Sequence, residues 1–170
     1  MPIFFKRFRL NVKALLLTCL CINLLTACNN QKRLLATGGK ELSTAAQHIQ
    51  QIYVATSPCN GTCPVFKMTV NADRTAAYEA IANNKKQGLF KATLSNRDYE
   101  KLVQLLERTG FEQLPERFTR PITDLPAVTL KIVYDKGKTK AIYDYGLQGT
   151  KALEDFYGYV FSLADGQEWQ

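Results

Sequence analysis

Ala127-Val-Thr-Leu-Lys-Ile-Val-Tyr134 and Thr139-Lys-Ala-Ile-Tyr-Asp-Tyr145 are the two stretches that decide the fold. In both, apolar residues alternate with polar ones, which is the period of a strand with one face in a core. The linking segment Asp135-Lys-Gly-Lys138 has the residue types of a tight hairpin turn. The sequence therefore predicts a pair of antiparallel strands here.

Upstream, further segments carry the same strand signature, with β-branched and aromatic residues bounded by turn residues. They are Ile49–Thr56, Val65–Val70, Thr75–Ile81 and Gly88–Thr93. Together with the hairpin, these segments predict a sheet of about six strands.

The apolar period changes to that of a helix in two places. The first helix follows Ser95, a candidate N-cap, and ends before Gly110, a residue typical of helix C-termini. The apolar positions are Tyr99, Leu102, Val103, Leu105 and Leu106 in the first helix and Leu153, Phe156, Tyr157, Val160 and Phe161 in the second. Successive strands followed by single helices indicate an α+β fold, an antiparallel sheet with two helices packed on one face.

The N-terminal segment has the order of a secretory signal, with basic residues, an apolar run and then small residues. The apolar run from Ala14 to Ala27 is shorter than the roughly 20 residues that a membrane-spanning helix needs. It closes on Leu24-Leu-Thr-Ala-Cys28, which resembles a bacterial lipobox. That resemblance implies cleavage before Cys28, its lipidation with acyl chains such as palmitate, and a lipoprotein anchored to a membrane.

On this interpretation the chain has three parts. Residues 1–27 are a lipoprotein signal peptide, residues 28–47 a polar tether, and residues 48–170 a single α+β domain. Asn29 stands where well-studied lipoproteins of the inner membrane carry aspartate. By that resemblance the anchor lies in the outer membrane, and the domain faces the periplasm.

The net charge gives no electrostatic case for a nucleic-acid partner. Four of the 22 basic residues and none of the 15 acidic ones lie in the signal, so the formal charge of +7 falls to +3 after cleavage. The nearest approach to a basic patch is Lys131, Lys136, Lys138 and Lys140, around the predicted hairpin. We interpret it as a solvated edge at which lysine opposes strand-to-strand aggregation, with an anionic partner as the alternative.

Cys59 and Cys63 are the cysteines that remain once the signal is removed and Cys28 carries lipid. An exported domain lies in an oxidising compartment, which predicts one disulfide between them. Two alternatives stay open, a redox-active pair and a Cu(I) site, because thiolates serve both. The Cys-x-x-x-Cys-Pro spacing is also similar to that of copper-delivery proteins of the thioredoxin fold. Those proteins add a distant histidine, whereas the single histidine, His48, adjoins the tether.

The segment Pro58-Cys-Asn-Gly-Thr-Cys-Pro-Val-Phe66 resembles the signature of a bacterial lipoprotein domain of unknown function. The family is the one catalogued as domain of unknown function six-four-three-eight, and the resemblance extends from Ile52 to Phe161. One departure is Asp73-Arg74, where such domains often carry Asp-Gly in a turn. The family brings no established activity, so the resemblance implies a domain and no chemistry.

Few residues are candidates for catalysis. The sequence has no HExxH helix and no glycine-rich phosphate loop after a strand. A Ser-His-Asp triad would have to use His48, which we predict to be an exposed residue at the start of the domain. A carboxylate pair needs only to meet in space, and Asp124 and Asp144 are the residues to inspect. We interpret Asp124 as a turn or capping residue and Asp144 as a solvated residue of an edge strand.

These observations favour a non-catalytic binding or assembly module held at a membrane, with no metal and no cofactor. The alternative is a thiol redox or copper-handling protein that acts through Cys59 and Cys63. Aromatic residues concentrate toward the C-terminus, and core packing accounts for most of them. The surplus tyrosines are suited to a groove for a peptide or a glycan, so we expect a protein or glycan partner.

Overall fold

The computed structural model describes residues 48–170, which form a mixed sheet of seven strands and two helices. The strands are β1 (Ile49–Thr56), β2 (Val65–Asn71), β3 (Thr75–Ala82), β4 (Gly88–Thr93), β5 (Arg117–Phe118), β6 (Ala127–Tyr134) and β7 (Lys138–Tyr145). The helices are α1 (Asn96–Arg108) and α2 (Lys151–Gly166), and a short 3-10 turn covers Phe111–Gln113. The α+β class predicted from the sequence is confirmed.

The predicted hairpin is present as β6 and β7, which pair antiparallel with Lys131 opposite Ala141. Its turn places Asp135, Lys136 and Gly137 in succession at positive φ, between 41° and 100°. Positive φ at consecutive turn residues matches the twist of the flanking strands. The turn chemistry in the sequence therefore specifies the hairpin.

The turn between β2 and β3 is where the chain departs from the Asp-Gly pattern. Arg74 adopts φ 71°, a left-handed conformation that glycine takes without steric cost. Asp73 supports the turn because its Oδ1 accepts hydrogen bonds from the backbone N–H and the hydroxyl of Thr75, at 2.9 and 2.6 Å. The Arg74 guanidinium donates to the carbonyl of Leu94 at 3.0 Å. Arg74 thus takes a left-handed turn conformation that usually favours glycine.

The expectation of about six antiparallel strands is corrected to seven strands in a mixed sheet, in the order β4-β3-β2-β1-β6-β7-β5. The additional strand is β5, which runs parallel to β7 with Arg117 opposite Tyr143. Two residues carry no readable alternation, so this strand is defined by its tertiary pairing and not by its sequence. β5 precedes β6 in the chain, and β6 pairs antiparallel with β1 in the middle of the sheet.

Both helices begin at predicted or recognisable caps. The Ser95 hydroxyl accepts a hydrogen bond from the Asp98 N–H at 3.1 Å and donates to the Asp98 carboxylate at 2.6 Å. Thr150 caps α2 in the same way, through the Leu153 N–H. Gly110 follows α1 at φ 61°, the conformation expected of a glycine just past a helix. The apolar faces of the two helices contact each other and share one core with the sheet.

After α2 the chain runs to the edge of the sheet that β4 forms. Trp169 is buried and stacks on Tyr78 with ring centroids 4.9 Å apart, and its indole N–H donates to the Ala164 carbonyl. Gln170 exchanges two backbone hydrogen bonds with Lys91 of β4, at 2.8 and 2.9 Å. These contacts partly cover the edge of β4 that has no strand partner.

Only one face of the sheet is buried in the core. In β6, for example, Leu130 and Ile132 are fully buried, whereas the alternate residues Thr129, Lys131 and Val133 stay accessible. Such an arrangement is usual for antiparallel sheets, which can leave one face in contact with water.

Candidate functional site

The candidate site is an apolar groove between α2 and the sheet, at the end where β1 finishes and β2 begins. Its volume is about 280 Å³. The groove is lined by Thr56, Cys63, Pro64, Phe66, Asn84, Pro126, Ala127, Val128, Leu147, Phe161, Ala164 and Asp165. That volume suits an aromatic ring or a short aliphatic chain, and it is at the small end for a ligand pocket.

Two aromatic residues line its interior. Phe66 of β2 and Phe161 of α2 meet edge to face, with ring centroids 5.7 Å apart. At the mouth, the Lys85 ammonium and the Asp165 carboxylate form an exposed ion pair at 3.1 Å. The groove therefore combines an apolar interior with a charged rim.

Thr56, the last residue of β1, fixes the wall next to the cysteines. Its hydroxyl donates to the Pro64 carbonyl at 2.8 Å and accepts from the Phe66 N–H at 2.9 Å. Cys59 and Cys63 lie at disulfide distance, with Cα atoms 5.8 Å apart. The loop between β1 and β2 is thereby closed on itself at one side of the groove.

Asn84 fixes the opposite wall. Its amide N–H₂ donates to the carbonyls of Val65 and Ala82 at 2.7 and 2.8 Å, and its amide oxygen accepts from the Tyr78 hydroxyl at 3.1 Å. A loop that uses both ends of an amide in this way is held in one conformation. The groove is therefore preformed and does not depend on a ligand for its shape.

We expect the double substitution Cys59→Ser, Cys63→Ser to lower the free energy of unfolding by about 2 kcal/mol. The closed loop is short, so the entropy that the crosslink removes from the unfolded chain is small. Urea denaturation of the oxidised wild type and the serine variant measures the difference. Equal stabilities would mean that the two cysteines are not crosslinked in the purified protein.

Asp144 is placed differently from the expectation. It lies in β7 but is 1% exposed, so the prediction of a solvated edge residue is wrong. Its Oδ1 accepts a hydrogen bond from the backbone N–H of Gln148 at 2.7 Å, and Oδ2 accepts one from Gly149 at 3.1 Å. Burial raises the pKa of Asp144, although these hydrogen bonds and the nearby Tyr157 hydroxyl oppose the shift. The alternation of β7 put this residue on the core face, and its role is to hold the loop before α2.

Asp124 is the turn residue that the sequence indicated. It adopts φ 66°, its side chain is exposed, and its backbone carbonyl accepts from the Asn60 N–H at 3.1 Å. Across residues 48–170, no hydrogen bond links its carboxylate to that of Asp144. Asp124 is exposed whereas Asp144 is buried, so the two carboxylates lie in different environments.

His48 is half-buried and not exposed as the sequence suggested. Its Nε2 lies 2.7 Å from the Glu107 carboxylate of α1, and its Nδ1 lies 3.0 Å from the Asp135 carboxylate in the β6–β7 turn. Burial alone would lower the pKa of His48, but the hydrogen bonds and charges of the two carboxylates raise it. The protonated imidazole therefore ties the start of β1 to α1 and to the hairpin.

This arrangement predicts a pH dependence of stability. Because the pKa of His48 is raised on folding, its contribution is complete below pH 6.5 and is lost as the pH rises through the folded-state value. Lys138, which pairs with Asp135 at 3.2 Å, is already charged over this range and does not titrate with His48. We expect a small loss of unfolding free energy between pH 6 and pH 8 that disappears in His48→Gln. Chemical denaturation at the two pH values measures it, and a wild type without any loss would contradict the assignment.

The aromatic residues near the C-terminus divide between core and surface. Tyr134, Phe156 and Tyr157 are buried in the core, as expected for most of the group. Phe161 is half-buried in the groove, and Tyr143 is half-buried on the uncovered face of the sheet.

Sequence reasoning missed the residues that shape the groove. Asn84 stands in a run of polar loop residues, and nothing in that run distinguishes it from its neighbours. Leu147 is a single apolar residue between two glycines, Gly146 and Gly149, and takes φ 51°. The available signal was limited to the prolines and cysteines around Pro64, which marked the loop but not the groove.

Neither a metal centre nor a membrane span is found in the described part of the chain. Within residues 48–170, no three His, Cys, Asp or Glu side chains gather in the manner of a metal site. The same residues include no helix with the length and apolar character needed to cross a bilayer. The predicted signal peptide, the lipidated Cys28 and the tether lie outside the described residues.

The fold and the groove define a class of protein, a small α+β domain with a preformed apolar groove beside a paired-cysteine loop. Residues 50–164 match the sequence model of the family described as Domain of unknown function (DUF6438), and the chain belongs to that family. No curated protein matches the chain at a significant level.

Proposed function

We propose that the protein is a lipoprotein of the bacterial envelope, anchored through Cys28 in the outer membrane and facing the periplasm, that acts as a non-catalytic binding or assembly module. The observation that carries the proposal is the preformed groove, which takes an apolar side chain from a protein partner. The groove is lined mostly by apolar atoms and has a charged rim, which is how interfaces bury an apolar anchor residue.

The direction of β1 supports this arrangement. The chain enters the domain at His48, and Thr56, at the other end of β1, lines the groove. A strand of that length covers about 23 Å. His48, the first described residue, therefore lies at the opposite end of β1 from the groove.

Photocrosslinking in cells tests the groove. With benzoylphenylalanine at Leu147, we expect an adduct that is lost when Phe161→Glu places a charge in the groove. The control Lys101→Glu, on the exposed side of α1, should leave the adduct unchanged. Thermal melting of the two charge variants verifies that both remain folded. An adduct that persists in Phe161→Glu would overturn the groove as the binding site.

One observation favours the alternative of a thiol redox or copper-handling protein. Cys63 itself lines the groove, so a bound substrate would contact one of the two cysteines. A redox function predicts a pair that exchanges readily with glutathione, and a copper function predicts Cu(I) binding by the reduced protein. Titration with each reagent separates these functions from a structural crosslink, for which neither reaction is expected.

A further inference from the structure

The face of the sheet that the helices leave uncovered is basic. Its ionisable side chains other than tyrosine are Lys67, Lys91, Arg117, Lys131 and Glu79, as the strand register places them. Glu79 is paired with Lys67 at 2.9 Å. Among residues 48–170, no carboxylate lies within ion-pair distance of the other three cations. The face therefore has an excess of positive charge with no partner of opposite sign in the fold.

Tyr53 stands at the centre of this face and separates two shallow depressions. On one side, toward β3 and β4, the depression has a volume of about 410 Å³ and is bordered by Lys67 and Lys91. On the other side, toward β6 and β7, the volume is about 420 Å³ and Lys131 forms part of the border. Each depression thus contacts Tyr53 and at least one lysine.

Two of the unpaired cations are held over aromatic rings. The Lys131 ammonium lies 5.7 Å from the ring centre of Tyr53, its cross-strand neighbour. The Arg117 guanidinium lies 4.7 Å from the ring centre of Tyr143, which neighbours Thr129 of β6. Cations over rings keep their charge available while losing part of their side-chain freedom, which suits them to bind an anion.

We propose that this uncovered face binds an acidic polysaccharide, a chain of sugar rings that carry carboxylate or phosphate groups. Successive sugars would occupy the two depressions on either side of Tyr53, where Lys91 and Lys131 would neutralise their anionic groups, and Arg117 on β5 would extend the basic surface beyond β7. Hydroxyls on the same face, including those of Thr69 and Thr129, match the donor and acceptor groups of sugars. The proposal concerns a second surface and holds whether or not Cys28 is lipidated.

A sugar polymer is favoured over a lipid bilayer because of where the apolar side chains lie. Leu89 and Ile81 are exposed by 82% and 43%, but both lie on β3 and β4, away from Lys131 and Arg117. Within the described strands β1, β5, β6 and β7, no large apolar side chain is strongly exposed, and Ile122, which is 51% exposed, lies in the loop between β5 and β6. A surface that inserts into a bilayer would need apolar side chains beside its cations.

Binding to polygalacturonate tests the proposal, with the full chain purified in mild detergent at physiological salt. We expect Lys131→Gln, Arg117→Gln to weaken binding by about tenfold, as the loss of two charge contacts implies. The control Lys101→Gln, Arg108→Gln removes the same net charge from exposed positions of α1, which packs on the other face of the sheet, and should change binding less than twofold.

A third variant distinguishes specific recognition of the polysaccharide from general electrostatic attraction to it. Tyr53→Ala keeps every charge but removes the ridge between the depressions, and we expect several-fold weaker binding to polygalacturonate. The neutral polymer dextran should not compete. Equal effects of the two charge variants, binding unaffected by Tyr53→Ala, or competition by a short single-stranded DNA as strong as that by polygalacturonate would each overturn the proposal.

Discussion

Gly149→Ala is expected to lower the free energy of unfolding by about 2–3 kcal/mol, the range of an overpacked core position. A Cβ at this residue would lie 2.6 Å from the Leu153 Cδ1 atom and 2.7 Å from the Asp144 Oδ2 atom. Neither neighbour has room to yield, because Leu153 is fully buried and Asp144 is held by backbone N–H groups. The cost therefore arises from lack of space and not from backbone conformation.

Gly158→Ala is the matched control for this prediction. Gly158 lies inside α2, it is exposed, and a Cβ there would meet nothing within 4 Å. Alanine favours a helix interior over glycine by about 0.5–1 kcal/mol, so this variant should be more stable than the wild type. Urea denaturation of the three proteins gives both values. Similar changes in the two variants would contradict the close packing around Gly149.

Asp144→Ala is the second large effect, and we expect a loss of about 3 kcal/mol. The substitution leaves the backbone N–H groups of Gln148 and Gly149 without their acceptor, and an unsatisfied buried donor costs about 1–3 kcal/mol. Asp144→Asn keeps an oxygen at the same position and should cost less than half as much. The comparison of these variants by chemical denaturation isolates the contribution of the acceptor.

Two further measurements check the role of Asp144. The Tyr157 hydroxyl is buried beside the carboxyl but has no hydrogen-bond partner of good geometry, so Tyr157→Phe should change stability by less than about 1 kcal/mol. Because burial raises the pKa of Asp144, folding binds a proton there, and its contribution falls as the pH rises above the ordinary value of 3.8. That fall should be absent in Asp144→Asn. An alanine variant as stable as the asparagine variant would show that the carboxyl does not support the loop.

The elements that the sequence predicted are those in which the local pattern and the tertiary structure agree. The β6–β7 hairpin has both the alternation and the turn residues, and the cap of α1 at Ser95 could be identified from one side chain. β5 could not be predicted, because two residues pair with β7 only after the rest of the sheet has formed. The half-burial of His48 could not be predicted for a related reason, since it depends on contacts with α1 and the hairpin. Asp144 shares the core face of β7 with Ile142, and its polar side chain led to the wrong prediction of a solvated residue.

The candidate site was harder to predict than the fold. The cysteine loop was visible in the sequence, but the groove beside it is formed by side chains from six separate parts of the chain, among them Thr56, Asn84, Leu147 and Phe161. No local pattern links such positions. The uncovered face is a similar case, because Arg117 and Tyr143 become neighbours only through the pairing of β5 with β7.

The two surfaces imply a division of roles for an anchored module. In our proposal the groove engages a protein at the end of β1 away from His48, while the uncovered face holds an acidic glycan. Neither contact requires a catalytic group.

The intact mass of the protein extracted from membranes, after alkylation of free thiols during lysis, is the most direct test of the central proposal. The account predicts a chain that begins at Cys28, carries the added mass of acyl groups, and shows no alkylation of Cys59 or Cys63. A chain that retains residues 1–27 or lacks lipid would contradict the anchor. Alkylation of Cys59 or Cys63 would indicate that the two cysteines are a reactive pair beside the groove and not a structural crosslink.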